Sequence, residues 1–336
     1  MALPFPSPFP RVGIVAIGRN EGDRLRRCFD SLSGHVAVVY VDSGSSDASV
    51  ELARSRGYEV VLLDMSRPFT AARARNAGFT RLLEHWPGLE YVQFVDGDCA
   101  IAAGWLERAS SLLDGDPAVA AVWGRRRELH PDRSVYNRIC DVEWSQEPAG
   151  DTQVFGGDVM VRAALVRELG GYNPGIIAGE DPEFAYRVHK LGHRIVRAAA
   201  EMTLHDAAIT RFGQWWTRTK RSGYAYAQVS ALHAAEPEQF WQADTRRALF
   251  WGCVVPVLVP ALAVPTLGAS SCLLLAYPLR AARIARRASQ SGMPRLDACF
   301  WSLHCVLASF PQAVGVLSYY EERLRGKDPT LIEYKG

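Results

Sequence analysis

The chain has 336 residues, 48% of them hydrophobic, a length that accommodates one large or two medium domains with a substantial core. Its formal net charge of +2 offers no global excess of cations to neutralise phosphates, which excludes nucleic acid as the main partner. The seven cysteines, Cys28, Cys99, Cys140, Cys253, Cys272, Cys299 and Cys305, make no CxxC pair and no zinc spacing, so neither a zinc module nor a disulfide framework is expected and a reducing compartment fits.

The leader MALPFPSPFP has no basic stretch and too many prolines for an apolar signal helix, so no signal peptide is expected. Residues 12–17 read as a strand, and Gly18-Arg19-Asn20-Glu21-Gly22 then opens a helix. Residues 36–41 form an unbroken apolar run, as expected of a parallel strand covered on both faces. It ends in Asp42-Ser43-Gly44-Ser45-Ser46-Asp47, where Ser46 or Asp47 caps a helix over 48–56 and Asp42 is a carboxylate at a strand tip. A further helix begins near Thr70 and carries Arg73, Arg75 and Arg81, for which a solvated basic face competes with a ligand-binding role. Residues 91–95 are apolar and run into Asp96-Gly97-Asp98, at the end of a strand where α/β sheets bind ligands. Carboxylates at i and i+2 with glycine between them suit a hard divalent cation, Mg2+ or Mn2+, although the same triplet also makes ordinary turns. Three strand–turn–helix units in the first hundred residues predict βαβ architecture with right-handed crossovers.

Asn20-Glu21, the VDSGSSD stretch, Ala74-Arg75-Asn76-Ala77-Gly78, the VDGDC stretch and Gly179-Glu180-Asp181 occur in the order in which they recur in family 2 glycosyltransferases, and residues 11–210 resemble that family. The resemblance implies a GT-A fold: an α/β, Rossmann-like, mostly parallel mixed sheet flanked by helices. It also implies a nucleotide-sugar donor, UDP-sugar by frequency within the family. Asn20, Glu21 and Asp42 would line the base and ribose pocket, with Arg75 and Asn76 nearby. Asp98 would bind the divalent metal, Mn2+ or Mg2+, with Asp96 reaching the ribose or the metal and His205 completing the coordination. Asp181, beside Glu180, would be the general base that takes the acceptor proton. A lone base fits direct displacement with inversion, since no nucleophile for a double displacement is evident. Asp158, in Phe155-Gly156-Gly157-Asp158, would contact acceptor or sugar. The segment Gln214-Trp215-Trp216-Thr217-Arg218 lacks the Arg-Trp order of processive synthases, which implies addition of a single sugar.

Residues 211–248 interleave Trp215, Trp216, Tyr224 and Tyr226 with Arg218, Lys220 and Arg221. They read either as an interfacial amphipathic helix or as core packing, with Arg218 or Arg221 available to a diphosphate. Residues 249–336 read as a helical membrane-associated region. Residues 249–279 and 298–320 hold no Asp, Glu, Lys or Arg, and each exceeds the roughly 20 residues that a span requires. Basic clusters precede, separate and follow the two runs, and all prefer the cytoplasm. Pro256, Pro260, Pro265, Gly268 and Pro311 break straight helices. Each run is therefore expected to be a bent hairpin that enters and leaves on the cytoplasmic face of the inner membrane, with the catalytic domain in the cytoplasm and a lipid-linked or glycan acceptor. A sugar-phosphate nucleotidyltransferase is the alternative, but Gly18-Arg19-Asn20-Glu21-Gly22 is not its glycine-rich, lysine-bearing loop. A catalytically dead scaffold is the other, and the intact Asp96, Asp98 and Asp181 speak against it.

Overall fold

A computed structural model of the chain describes residues 10–327, so the reading of the leader lies outside the described residues. The chain forms two compact units. Among the described residues, one holds those up to Leu129 together with Trp144–Gly175 and Glu180–Ala207, and the other holds His130–Glu143, Ile176–Gly179 and those from Ala208 onward.

The first unit is built on one sheet of nine strands: β1 (Val12–Gly18), β2 (Val38–Asp42), β3 (Glu59–Leu62), β4 (Tyr91–Asp96), β5 (Cys99–Ile101), β6 (Val119–Glu128), β7 (Gly150–Asp151), β8 (Val159–Arg162) and β9 (Arg194–His205). Their order is β3-β2-β1-β4-β8-β6-β9-β5, with β7 added to β9. β3, β2, β1 and β4 run parallel, while β8 lies antiparallel to both β4 and β6. This is the mixed, mostly parallel sheet expected of the GT-A fold. β3 was not anticipated, because Glu59-Val60-Val61-Leu62 is too short to stand out from its neighbours and is only half-buried at the sheet edge.

Helices α1 (Asp23–Ser31), α2 (Ser49–Ser55), α3 (Ala71–His85), α4 (Trp105–Gly115), α6 (Ala163–Glu168) and α7 (Glu180–Lys190) belong to this unit, and α5 (Val135–Ser145) lies mostly in the other. The Thr70 hydroxyl starts α3 by accepting the Arg73 amide at 3.1 Å. Gly78 then lets α3 lie on the sheet, since a Cβ there would stand 2.4 Å from Val15 Cγ1 and 2.8 Å from Val41 Cγ2. A glutamine at the centre of β4, Gln93, is fully buried, and its side-chain oxygen is satisfied by the Trp105 indole N–H at 2.8 Å.

The second unit is helical: α8 (Phe212–Leu232), α9 (Gln242–Leu249), α10 (Val255–Ala261), α11 (Ala276–Gln290), α12 (Arg295–Leu307) and α13 (Ser309–Leu324). Glycines set its packing. A Cβ on Gly223 of α8 would sit 2.0 Å from the Gln312 carbonyl oxygen, one on Gly315 of α13 would sit 2.0 Å from that of Lys220, and one on Gly252 would sit 2.0 Å from that of Ser309. Backbones touch where side chains normally intervene. Gly223→Val is therefore expected to push α8 and α13 apart, costing about 3 kcal/mol, the upper end of ordinary overpacking. Thermal melting should show the loss, and an unchanged midpoint would refute the close approach.

Trp215 and Tyr224 are buried inside this unit, so for these two rings core packing replaces the interfacial reading of α8. Arg218 is paired with Glu143 at 2.9 Å, and Arg221 donates to the Ile177 carbonyl at 3.3 Å. The first uncharged run bends back on itself after α10, as a hairpin. The second does not: Arg295–Leu324 is one 30-residue helical stretch, long and apolar enough to cross a membrane. Pro311 falls in the first turn of α13, where a missing amide and a fixed φ are tolerated, so the helix continues past it.

Candidate active site

Strand register places the acidic motifs at one end of the parallel strands. Gly18 is opposite Asp42 on β2, and Ile17 is opposite Asp96 on β4. The chain then turns hard. The Gly97 amide donates to the Ile17 carbonyl at 2.7 Å, and a Cβ on Gly97 would lie 3.0 Å from that oxygen. The glycine of the triplet is thus fixed by the close approach of the backbone to β1.

After the turn, β5 pairs with the end of β9, Cys99 opposite His205, which brings Asp98 and His205 together. Asp98 Oδ2 lies 3.2 Å from His205 Nε2, and both residues are buried. His205 Nδ1 lies 3.7 Å from Glu128 Oε2, and the ring stands edge-on to Trp144 at 4.7 Å. Burial pushes the His205 pKa down against the pull of Glu128, so the imidazole is held neutral with a lone pair to offer. Two donors at right angles around a cation with bonds of about 2.1 Å would be about 3.0 Å apart, so the Asp98 and His205 atoms fit a hard divalent ion. Cys99 Sγ lies near the same point. Burial drives its thiol well above the ordinary range and its sulfur is soft, so it is the poorer ligand.

Arg75 is the hub of the site. Its side chain is 2% exposed, its Nη2 reaches Asp96 Oδ1 at 2.9 Å, and its Nη1 reaches Glu180 Oε1 at 2.8 Å and Asp181 Oδ1 at 3.2 Å. The guanidinium also lies over the Tyr172 ring, 5.3 Å from its centroid. Burial alone would lower the Arg75 pKa, but the three carboxylates more than offset it and hold the group charged. Glu180 and Asp181 open α7, and Gly179 before them has φ +84°, a conformation that favours glycine. Asp181 Oδ2 accepts the Gly157 amide at 2.6 Å. Burial raises the Asp181 carboxyl from its ordinary 3.8 to about 7, with Arg75 pulling the other way. A carboxylate so tuned is a competent proton acceptor near neutral pH.

Arg126 and Glu128 were missed by sequence reasoning. Gly124-Arg125-Arg126-Arg127-Glu128 looks like a solvated charge run, yet it lies in β6, where alternate residues face alternate sides. Arg125 and Arg127 are exposed, whereas Glu128 is buried and Arg126 is largely so. Period-two alternation was the signal that could have found them. Arg126 Nη2 sits 2.9 Å from Asp158 Oδ2 and 3.8 Å from Asp96 Oδ2, and the carboxylates keep it charged despite burial. A Cβ on Gly157 would fall 1.7 Å from the same Nη2, so the Gly156-Gly157 pair makes room for this guanidinium.

The remaining expected residues divide by what they touch. Asp158 is fully buried, accepting the Asp96 amide at 2.9 Å and the Thr203 hydroxyl at 2.7 Å. There it holds Arg126 and the Asp96 turn in place. Asn76 spends its amide on the Tyr172 backbone, donating to the carbonyl at 2.7 Å and accepting the N–H at 2.8 Å. Its contacts make it a clamp on the Gly171 turn. Asp42 is buried and accepts the Gly44 and Ser45 amides and the Tyr40 hydroxyl. Asn20, at φ +53°, accepts the Ser46 amide and thereby ties the β1 loop to the β2 loop. Glu21 pairs with Arg24 at 2.9 Å.

Residues 14–158 match the family model described as glycosyl transferase family 2. Glycosyltransferase AglE of Haloferax volcanii is 25% identical over 241 residues, covering 67% of this chain and 76% of that protein. The pre-mycofactocin glycosyltransferase of Mycobacterium tuberculosis is 26% identical over 236 residues, 66% of this chain, and the match spans about half of that relative, 48%. Among solved structures, the mannosyltransferase PcManGT from Pyrobaculum calidifontis, in complex with GDP-Man and Mn2+, superposes with a TM-score of 0.59 at 19% identity, over 94% of this chain and 89% of that one. The S. aureus TarS fragment 1–349 gives 0.50 at 14% identity, over 95% and 92%. These two likenesses show the shared fold.

Proposed function

Given that this chain is a glycosyltransferase of the GT-A fold whose residues 14–158 match family 2, we propose that it moves one sugar, with inversion, from a nucleoside-diphosphate sugar to a hydroxyl or phosphate of a lipid-linked or glycan acceptor. The observation that carries this reading is the Arg75 bridge, which joins Asp96 of the strand-end turn to Glu180 and Asp181 at the start of α7. That bridge supports a reading in which the proposed base stands beside the turn that carries the proposed metal ligand.

Asp98 and His205 would hold a divalent cation, Mn2+ or Mg2+. Bound there, such an ion offsets negative charge developing on the departing diphosphate. Asp181 takes the acceptor proton as its oxygen attacks the anomeric carbon and the bond to the diphosphate breaks. The Gly157 amide and Arg75 fix the direction in which that carboxylate points. Asp96, at the end of β4, and Arg126 of β6, 3.8 Å from it, would orient the donor. We keep the division into a catalytic region 11–210, a connecting segment 211–248 and a membrane-associated region 249–336, working at the cytoplasmic face of the inner membrane.

UDP-sugars are the first donors to try, and GDP-sugars the second because the PcManGT complex contains GDP-Man. UDP or GDP with Mn2+ should raise the melting temperature, since a ligand that binds only the folded state stabilises it. Incubation with donor, Mn2+ and a polyprenyl phosphate acceptor should release nucleoside diphosphate. Asp98→Asn is expected to reduce that release about a thousandfold, the several kcal/mol of lost charge stabilisation. Release of pyrophosphate instead, or an undiminished rate in Asp98→Asn, would overturn the assignment.

A further inference from the structure

The uncharged run from Leu249 is built unlike the rest of the helical unit. α10 is followed by a tight reversal at Leu267 (φ +50°) and Gly268 (φ +85°), and residues 269–275 then lead back into α11. Ser270 Oγ ties the two arms by donating to the Val259 carbonyl at 2.8 Å. The reversal satisfies its own backbone. The amides of Thr266, Leu267, Gly268, Ala269 and Ser271 donate to Leu262, Val264, Ala263, Thr266 and Gly268, and the Thr266 hydroxyl donates to Leu262. Closure of this kind is common at helix ends, and it is what a turn in hydrocarbon requires.

The side chains of the tip match. Val264 is 86% and Leu267 97% exposed, and Val257, Leu275 and Leu279 stand out along the arms. Where the arms reach the body of the unit, chemistry of the headgroup region begins. The Tyr277 hydroxyl donates to the Trp251 carbonyl at 2.6 Å, and Arg280 lies 4.9 Å over the Trp251 ring. Arg283, Arg286 and Arg287 follow on α11, all exposed. A protein partner could cover the apolar tip, but a bilayer with anionic lipid supplies both the hydrocarbon for the tip and the phosphates for these arginines.

We propose that this hairpin is a monotopic insert that enters one leaflet of an anionic membrane and returns, with Val264 and Leu267 deepest and Trp251, Tyr277 and the α11 arginines at the headgroups. Length decides against crossing. An arm from Trp251 to Val264 rises at most about 20 Å at about 1.5 Å per residue, against a hydrocarbon core of about 30 Å. The longer helical stretch Arg295–Leu324 is the poorer candidate for lipid contact on all sides. Its Gly315 lies against the backbone of α8, which carries Arg218, Lys220 and Arg221 and would be drawn to the same depth.

The inference stands independently of the donor chemistry, so vesicle binding tests it without any sugar transfer. Full-length protein is floated with sealed vesicles of phosphatidylcholine alone and of equal parts phosphatidylcholine and phosphatidylglycerol. Wild type should bind the anionic vesicles. Val264→Asp with Leu267→Asp, at side chains that pack on little else, should weaken binding at least tenfold. Arg283→Glu with Arg286→Glu and Arg287→Glu should abolish the preference for anionic lipid. A fluorophore on Leu267→Cys, in a background with Cys272 and Cys299 changed to serine, should be quenched by lipids brominated deep in the acyl chains and not by an impermeant quencher on either side. Wild-type binding by the aspartate variant, a label quenched from the far side of the vesicle, or a water-exposed label on a protein that self-associates would each overturn the proposal.

Discussion

Replacing Asp181 by asparagine is expected to lower kcat by about a thousandfold, within the range for loss of a general base, while nucleotide and Mn2+ still stabilise the protein. Asparagine retains the acceptor oxygen for the Gly157 amide but cannot take a proton. The pH profile gives a sharper readout. Because burial lifts the Asp181 carboxyl to about 7, wild-type kcat/KM should rise with pH through about 7 as the base loses its proton, and the residual activity of Asp181→Asn should lack that limb. Stability carries the opposite slope. A carboxyl raised in the folded state favours folding while protonated, so the metal-free, donor-free protein should lose stability as pH rises from its ordinary 3.8 towards about 7. Denaturant titrations at the two ends of that window should show the loss in wild type and a smaller one in Asp181→Asn. A flat kcat/KM profile through neutrality would remove Asp181 from the base position.

Arg75→Met should be the most damaging single change in the catalytic unit. It removes the cation that three carboxylates share, and leaving buried charges uncompensated costs about 3–5 kcal/mol. The loss should be greater at pH 8 than at pH 5, because acid allows Asp181 to neutralise itself. Arg75→Lys should recover little. One ammonium cannot reproduce a fork in which Nη2 holds Asp96 and Nη1 holds Glu180 and Asp181. Equal stability of wild type and Arg75→Met at pH 8, measured by denaturant unfolding, would show that the network is not what holds this corner of the fold.

The clamp roles of Asn76 and Asp158 show how far motif reading reaches. Both stand in motifs that resemble family 2, and only the structure shows that Asn76 binds the Tyr172 backbone and that Asp158 is buried against Arg126 and Thr203. A motif names residues that must be present, without distinguishing those that touch a ligand from those that hold the ones that do. β3 and the buried alternate residues of β6 went unread for a related reason, since a short edge strand and a charged strand both lack the apolar run that marks a central one.

Sequence by itself determined the parallel half of the sheet, through the apolar runs ending in Asp42 and Asp96, and the presence of an uncharged C-terminal region, because strand burial and charge depletion are local properties of a chain. Tertiary structure alone decided that Asp98 meets His205, that Arg75 gathers Asp96, Glu180 and Asp181, and that Arg126 enters the site. It also decided that one uncharged run folds back while the other continues as a helix. Those outcomes depend on register between distant strands and on backbone approach at glycines such as Gly97, Gly157 and Gly315, and neither has a signature in the residues adjacent to it.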